Sequence, residues 1–583
     1  MLYAKPLIPV LIVLMLVHVG ALRAVKAAVP ERWVAWSRLG YGLAKLCLLL
    51  LPLEWLVQIF LHAEPAVVTG KSIWLAAMAQ TAQIYLSISG MADVVLALQW
   101  LRGRACMEAC DAPYRQGSFI GVWQHLHRGL STAKGPATSS CLPVMVLVGG
   151  VALLWHGSVR AVSVWFLIHF LLIWLESKRG KSLFAPLPMP LRVIFTMLLF
   201  ILTQVLLLVP DLSMALQSWQ QMFHETPPKV YALMLDKRLT SGWLQIILSL
   251  SLLVSIGLPR LPLVLTQPIK TWRLFGLLLI PVSALLLLRD STSAPAFIRQ
   301  AVQVPVTWLF DEGNAQVHLG YESWFFPMSE LNRLTLRRPV EGATPALEKL
   351  AAELKAQNVA MLVVAAPAKI ALYPDQFLRA EYPAPVHPPG HSARLERLKA
   401  AGIEVLDPAQ ALWDRLIRAQ AFYQNDSHWT PDTMKEVVTM AAKLIRQKWP
   451  ELHQAETPLI KASILERQDR GDLLASLLPQ GDTAYGQETA QLVSIRGLES
   501  DPKSPVLILG SDLLTVFDDP AASFGNAEGE PQHAGFATQL ASLMGRPLEV
   551  MTTAPTAVTL TNELKTKALT KKLVIIVIGA NEL

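Results

Sequence analysis

Long apolar runs recur through the first 288 residues of this chain and then stop. They lie near 7–22, 40–62, 73–99, 142–157, 160–176, 190–209, 241–257 and 272–288. A helix needs about 20 such residues to cross roughly 30 Å of hydrocarbon, and a segment holding several of them cannot fold as one water-soluble core. The run at 7–22 reads as a first span and not as a cleaved leader, because no small-residue cleavage site follows it cleanly and further apolar runs continue. At 583 residues, 52% hydrophobic and 16% charged, the chain calls for at least two separately folded parts.

Charge divides at the same place. Residues 1–288 hold 23 Lys/Arg against 10 Asp/Glu, a net of about +13, whereas 289–583 hold 28 against 34, a net of about −6. Basic residues in short loops mark the cytoplasmic side. Arg23, Lys26, Arg32 and Arg38 follow the first run, Arg102 and Arg104 the third, and Lys178, Arg179 and Lys181 the fifth, while the loop at 62–70 has none. Threading the runs on this basis predicts an N-terminus outside and everything after about residue 289 outside as well. Nucleic acid is not an expected partner, since no long basic run interleaved with aromatics occurs. All four cysteines precede residue 289, and Cys106 and Cys110 have no second pair or nearby histidines to complete a metal site, so no metal centre is expected.

After residue 289 the pattern shortens. Residues 358–366, 402–406, 505–510 and 572–578 are short β-branched runs that read as buried strands, and 344–357, 392–401 and 432–447 have helical periodicity. Such alternation predicts a parallel sheet with helices on its faces and an active site at the carboxyl ends of strands. The stretch 450–500 reads as irregular.

Within "NDSHW" (425–429), Asp426 and His428 are two residues apart, so an extended backbone projects both to one side, with Trp429 opposite as a packing group. A carboxylate that fixes an imidazole tautomer is half of a Ser-His-Asp site, and such a pair also arises in ordinary loops and helix caps. Further along, "VLILGSDLL" (506–514) offers Ser511 and Asp512 after Gly510, whose ordinary role is to permit a tight strand-to-helix turn.

The segments 321–331, 363–377, 425–434, 506–517 and 534–545 resemble, in order, the SGNH-like domain of periplasmic alginate O-acetyltransferases. The resemblance implies His428 as general base, Asp426 as its orienting acid, and a nucleophilic serine on the turn after 505–510. The family has that serine one position later, so here either Ser511 supplies the hydroxyl after a local shift or Asp512 stands in its column. In the first half, 83–103, 111–132 and 152–176 resemble the core of membrane-bound O-acyltransferases (MBOAT) of the alginate O-acetyltransferase membrane-subunit type. Trp155-His156-Gly157 with His169 is the most specific part. By that resemblance His156 takes the membrane-embedded catalytic position and His127 that of a second histidine. Asp93, His127, His156 and His169 are the ionisable groups inside the apolar region, where each is costly unless it faces protein or water.

Together these readings predict a multi-span α-helical membrane domain (1–288), a linker (289–320) and an extracytoplasmic α/β SGNH-hydrolase-like domain (321–583). The expected setting is a bacterial inner membrane with the second domain in the periplasm. The implied activity is O-acyl transfer to an exported polysaccharide through Ser511, His428, Asp426, His156 and His127. Acetyl-CoA is the implied donor, no cofactor is held, and the expected partners are membrane lipid, the polysaccharide and other subunits of its export or acetylation complex. The alternatives are a catalytically impaired scaffold of such a complex and a membrane-anchored carbohydrate esterase.

Overall fold

A computed structural model describes residues 11–17, 29–106, 108, 110, 112–128, 130–131, 137–156, 159–209, 212–224, 229–256, 295–337, 342–454, 461–479, 485–518, 524, 532–552 and 566–583. The chain forms two compact units, Met1–Glu312 and Gly313–Leu583.

The first unit is helical. Among the described residues, four helices are long and apolar enough to cross a membrane: Arg32–Leu61, Gly70–Leu101, Val159–Arg179 and Met189–Leu208. Val230–Leu239 and Gly242–Ile256, bent by 54°, make a fifth if taken together. The expected run at 142–157 lies in helix Ala137–His156, the run at 7–22 is described only over 11–17, which is helical, and the run at 272–288 lies outside the described residues. Gly70–Leu101 has no single apolar face and is mostly buried, as an element surrounded by others must be. A capping box fixes its start, with Thr69 Oγ1 accepting from Ser72 N and Ser72 Oγ accepting from Thr69 N. Gly42 lets the neighbouring helix come close, because a Cβ there would stand 2.9 Å from the Gly90 carbonyl. Leu167, Leu171 and Ile194 are more than half exposed, an outward apolar face suited to lipid.

The second unit is built on a five-stranded parallel sheet. In sequence its first strands are β1 (Val317–Leu319) and β2 (Phe325–Pro327), an antiparallel pair, followed by β3 (Ala360–Ala366) and β4 (Glu404–Leu406). Then come β5 (Lys461–Asp469), β6 (Glu488–Arg496), β7 (Val506–Gly510), β8 (Glu549–Thr552) and β9 (Leu573–Gly579). The sheet order is β4-β3-β9-β7-β8. β3, β7 and β9 are buried almost throughout, which is why they read as uninterrupted apolar runs. Leu347, Leu350 and Leu354 of helix Thr344–Lys355 and Leu395 and Leu398 of helix His391–Ala400 pack with Val363, Leu507 and Ile576 in one core. β3 leads to β4 at one edge and β7 to β8 at the other, so the connections diverge at the sheet centre, the kind of place where open α/β sheets put a site at the carboxyl ends of their strands.

Two expectations are corrected. The linker of 289–320 contains helix Ala296–Phe310 and strand β1. The stretch 450–500, expected to be irregular, forms the antiparallel pair β5 and β6 around helix Asp472–Leu477. β5 is almost wholly exposed and has no buried alternate residues, so cross-strand pairing holds it and periodicity could not reveal it.

Candidate active site

Residues 421–430 connect to helix Pro431–Lys448, and within them the Asp426 side chain builds its own turn. Asp426 Oδ1 accepts from the backbone N–H of His428 at 2.8 Å and from His428 Nδ1–H at 2.6 Å. The pairing expected from an extended backbone is therefore made by an Asx turn, in which the acid folds its neighbour's N–H and ring onto one oxygen. Both side chains are buried. Trp429 faces away as expected, fully buried and stacked on Phe536 at 5.9 Å.

Three groups that sequence reading missed hold this loop. Lys369, fully buried, donates from Nζ to the carbonyls of Gln424 at 2.8 Å and Asp426 at 2.9 Å, and its ammonium lies over the rings of Trp324 and Phe326. Burial pushes its pKa down to about 8 against the opposing pull of Asp426 and Glu330. Glu488, at the start of β6, accepts from Gln424 N and Asn425 N. Asp472 takes both Ser427 N–H and Ser427 Oγ–H, while its own N–H donates to Asp426 Oδ2 at 2.9 Å. Asp472 and Glu488 come from the stretch whose role the sequence left opaque. The only signal was "RGD" at 470–472: Gly471 has φ +84°, and a Cβ there would lie 2.3 Å from the Asn425 carbonyl.

Opposite the imidazole is the turn after β7. Gly510 is required for space, since a Cβ would stand 2.9 Å from that of Leu514 and 3.1 Å from the Val577 carbonyl. Ser511 follows in extended conformation, and Asp512 begins the short helix Asp512–Thr515. Asp512 Oδ2 lies 3.7 Å from His428 Nε2, an ion-pair distance longer than a hydrogen bond. His428 Nε2 is buried with no hydrogen-bond partner, so it makes no bond to Ser511. Burial opposes charge on His428, but Asp426 and Asp512 outweigh it and hold the imidazole's pKa well above its ordinary value. The approach to His428 holds Asp512 down at about 2.

His127 follows helix Phe119–Leu126, fully buried, and its Nδ1 accepts from Leu130 N. His156 closes helix Ala137–His156, and its side chain lies outside the described residues. His169 is buried among Trp123, Trp165 and Phe200, bonded to Thr203 Oγ1 at 2.9 Å. Asp93 bridges Lys45 Nζ at 2.8 Å and Arg38 Nε at 2.7 Å, which compensates its burial.

One relative, a probable alginate O-acetylase AlgJ of Pseudomonas fluorescens, is 28% identical over 219 residues, 35% of this chain and 54% of that protein. Another, a probable alginate O-acetylase AlgI of Pseudomonas aeruginosa, is 29% identical over 169 residues, 27% of this chain and 32% of that protein. The chain thus spans about half the length of the first and a third of the second. The solved O-acetyltransferase domain of Pseudomonas putida AlgJ aligns at TM-score 0.34 and 17% identity over 46% of this chain and 91% of that one. Residues 317–578 match the family described as SGNH hydrolase-like domain, acetyltransferase AlgX.

Proposed function

We propose that this chain O-acetylates an exported polysaccharide from a membrane-anchored position, with the Gly313–Leu583 unit outside the membrane. The observation that supports the chemistry is the Asp426–His428 pair, 2.6 Å apart and buried beside a serine-bearing turn at the carboxyl end of β7. In this reading His428 Nε2 takes the proton of the Ser511 hydroxyl as its oxygen attacks an acyl carbonyl. The donor's leaving group departs with that proton, and an acyl-serine ester remains. A sugar hydroxyl then attacks the ester, again giving its proton to His428, which returns it to Ser511. Asp426 fixes the tautomer in both halves. The step requires Ser511 to take the place beside Nε2 that Asp512 occupies. The MBOAT-like first unit, with His156 and His127, would deliver the acyl group from acetyl-CoA at the inner face.

The 3.7 Å approach of Asp512 to His428 favours a second reading: a unit that binds the polysaccharide within an acetylation complex without forming an acyl-enzyme. Full-length protein in detergent, given an aryl acetate and an oligosaccharide acceptor, separates the two. Phenolate release and an acetylated oligosaccharide that both disappear in Ser511→Ala support the first reading. Equal rates in wild type and Ser511→Ala, or no turnover in either, support the second. Phenolate release that Ser511→Ala abolishes, with no acetylated acceptor, identifies an esterase.

A further inference from the structure

The β1–β2 hairpin turns at Tyr321–Trp324. Trp324 N donates to the Tyr321 carbonyl at 3.0 Å, and both central residues have positive φ, Glu322 at +53° and Ser323 at +63°. Only a type I′ turn combines these features, and the residues that suit it are Asn-Gly. Glutamate and serine hold it against a steric penalty that glycine would avoid. A second such position lies close by. Helix Pro374–Leu378 ends at Arg379, whose φ of +56° is the left-handed conformation usually given to glycine.

Two of these three side chains, Glu322 and Arg379, line one pocket of about 370 Å³ together with Tyr321, Asp375 and Glu381. Ligand pockets occupy roughly 300–1,000 Å³. The Arg379 guanidinium stands 5.3 Å over the Tyr321 ring, and Tyr321 N donates to the Gln376 carbonyl at 2.7 Å, so each strained segment holds the other in place. Strain kept at positions that surround one cavity points to a use for the side chains there. The walls are also fastened to the loop of His428. Phe325 N donates to the Gln424 carbonyl at 3.0 Å, and Trp324 packs 4.2 Å from Tyr373, whose hydroxyl accepts from Ala421 N at 2.7 Å.

The lining sets three carboxylates against one guanidinium. Among the described residues, none of the three is ion-paired to lysine or arginine, and they do not converge closely enough to share a metal ion. Carboxylates accept from the neighbouring hydroxyls of a pyranose, Arg379 donates to its oxygens, and Tyr321 offers apolar surface to its C–H face. A uronate would bring a further negative charge into a lining already acidic, where like charges repel.

We infer that this pocket is a subsite for the acceptor glycan and that it takes sugar units bearing no carboxylate. The inference rests on the reading of this chain as a polysaccharide O-acetyltransferase.

The test titrates full-length protein in detergent by calorimetry with hexamers of glucose, mannose, N-acetylglucosamine and mannuronate. Saturable binding of at least one of the three uncharged hexamers is expected, with mannuronate weaker by about tenfold or more. Tyr321→Ala should weaken the uncharged hexamer by a similar factor, and Glu381→Gln should narrow its advantage over mannuronate. The decisive variant, Glu322→Asn with Ser323→Gly, installs the residues the turn prefers: its melting temperature should equal or exceed that of wild type while its affinity for the hexamer falls. Ser511→Ala should bind as wild type does, so a failure of the acyl-transfer reading appears as lost acetylation with binding intact. The inference is overturned if no uncharged hexamer binds, if mannuronate binds as tightly, or if the folded Asn-Gly variant and Tyr321→Ala both bind like wild type.

Discussion

His428 Nε2 and Asp512 Oδ2 stand 3.7 Å apart at the end of β7. A carboxylate at that distance favours the protonated imidazole, so in the proposed mechanism Ser511 must displace Asp512 before His428 can act as a base.

Exchanging that acid for a hydroxyl should place a nucleophile directly beside Nε2. In Asp512→Ser the serine takes the position facing Nε2 and the imidazolium loses one of its two carboxylate partners. Aryl acetate hydrolysis by the full-length variant should exceed that of wild type at least tenfold, measured as phenolate release at neutral pH.

The same contact sets a pH dependence. His428 acts as a base only when neutral, and its raised pKa predicts a rate that climbs with pH above the ordinary imidazole value of 6.5. Removing the facing charge in Asp512→Asn lowers that pKa, so the ascending limb of kcat/KM should move to lower pH. Stability follows by linkage. The raised His428 contributes fully below 6.5 and loses its contribution as pH rises through its folded value. Asp512, at about 2 instead of 3.8, contributes above 3.8 and loses its contribution as pH falls through 2. The difference in melting temperature between wild type and Asp512→Asn should therefore be greatest between those limits, pH 3.8 and 6.5.

Lys369 fastens the loop from beneath. Lys369→Met keeps much of the buried chain but leaves the Gln424 and Asp426 carbonyls without their donor, and an unsatisfied buried acceptor costs about 1–3 kcal/mol. A lowered melting temperature and reduced turnover are expected together, because the same loop carries His428.

Gly471 should not tolerate a methyl group. Its φ of +84° disfavours any L side chain, and a Cβ would press on the Asn425 carbonyl. Gly471→Ala is expected to destabilise the unit by more than ~1 kcal/mol, read as a fall in melting temperature. It should also disturb the Asp472 N–H bond to Asp426.

The sequence by itself determined what rests on local pattern. The end of the apolar runs divided the chain in two, β-branched runs marked β3, β4, β7 and β9, and a two-residue spacing brought Asp426 to His428. Each depends on neighbours a few residues apart, whose relation the backbone period fixes. Tertiary structure alone decided the rest. It placed Lys369, Asp472 and Glu488 around the loop from positions 46 to 64 residues away. It turned Asp512 to His428 and brought Asp407 to His391 across a helix and a strand. No periodicity encodes such meetings: they arise where crossover connections deliver distant segments to the same end of a sheet, and exposed strands such as β5 are held by pairing and not by a buried face.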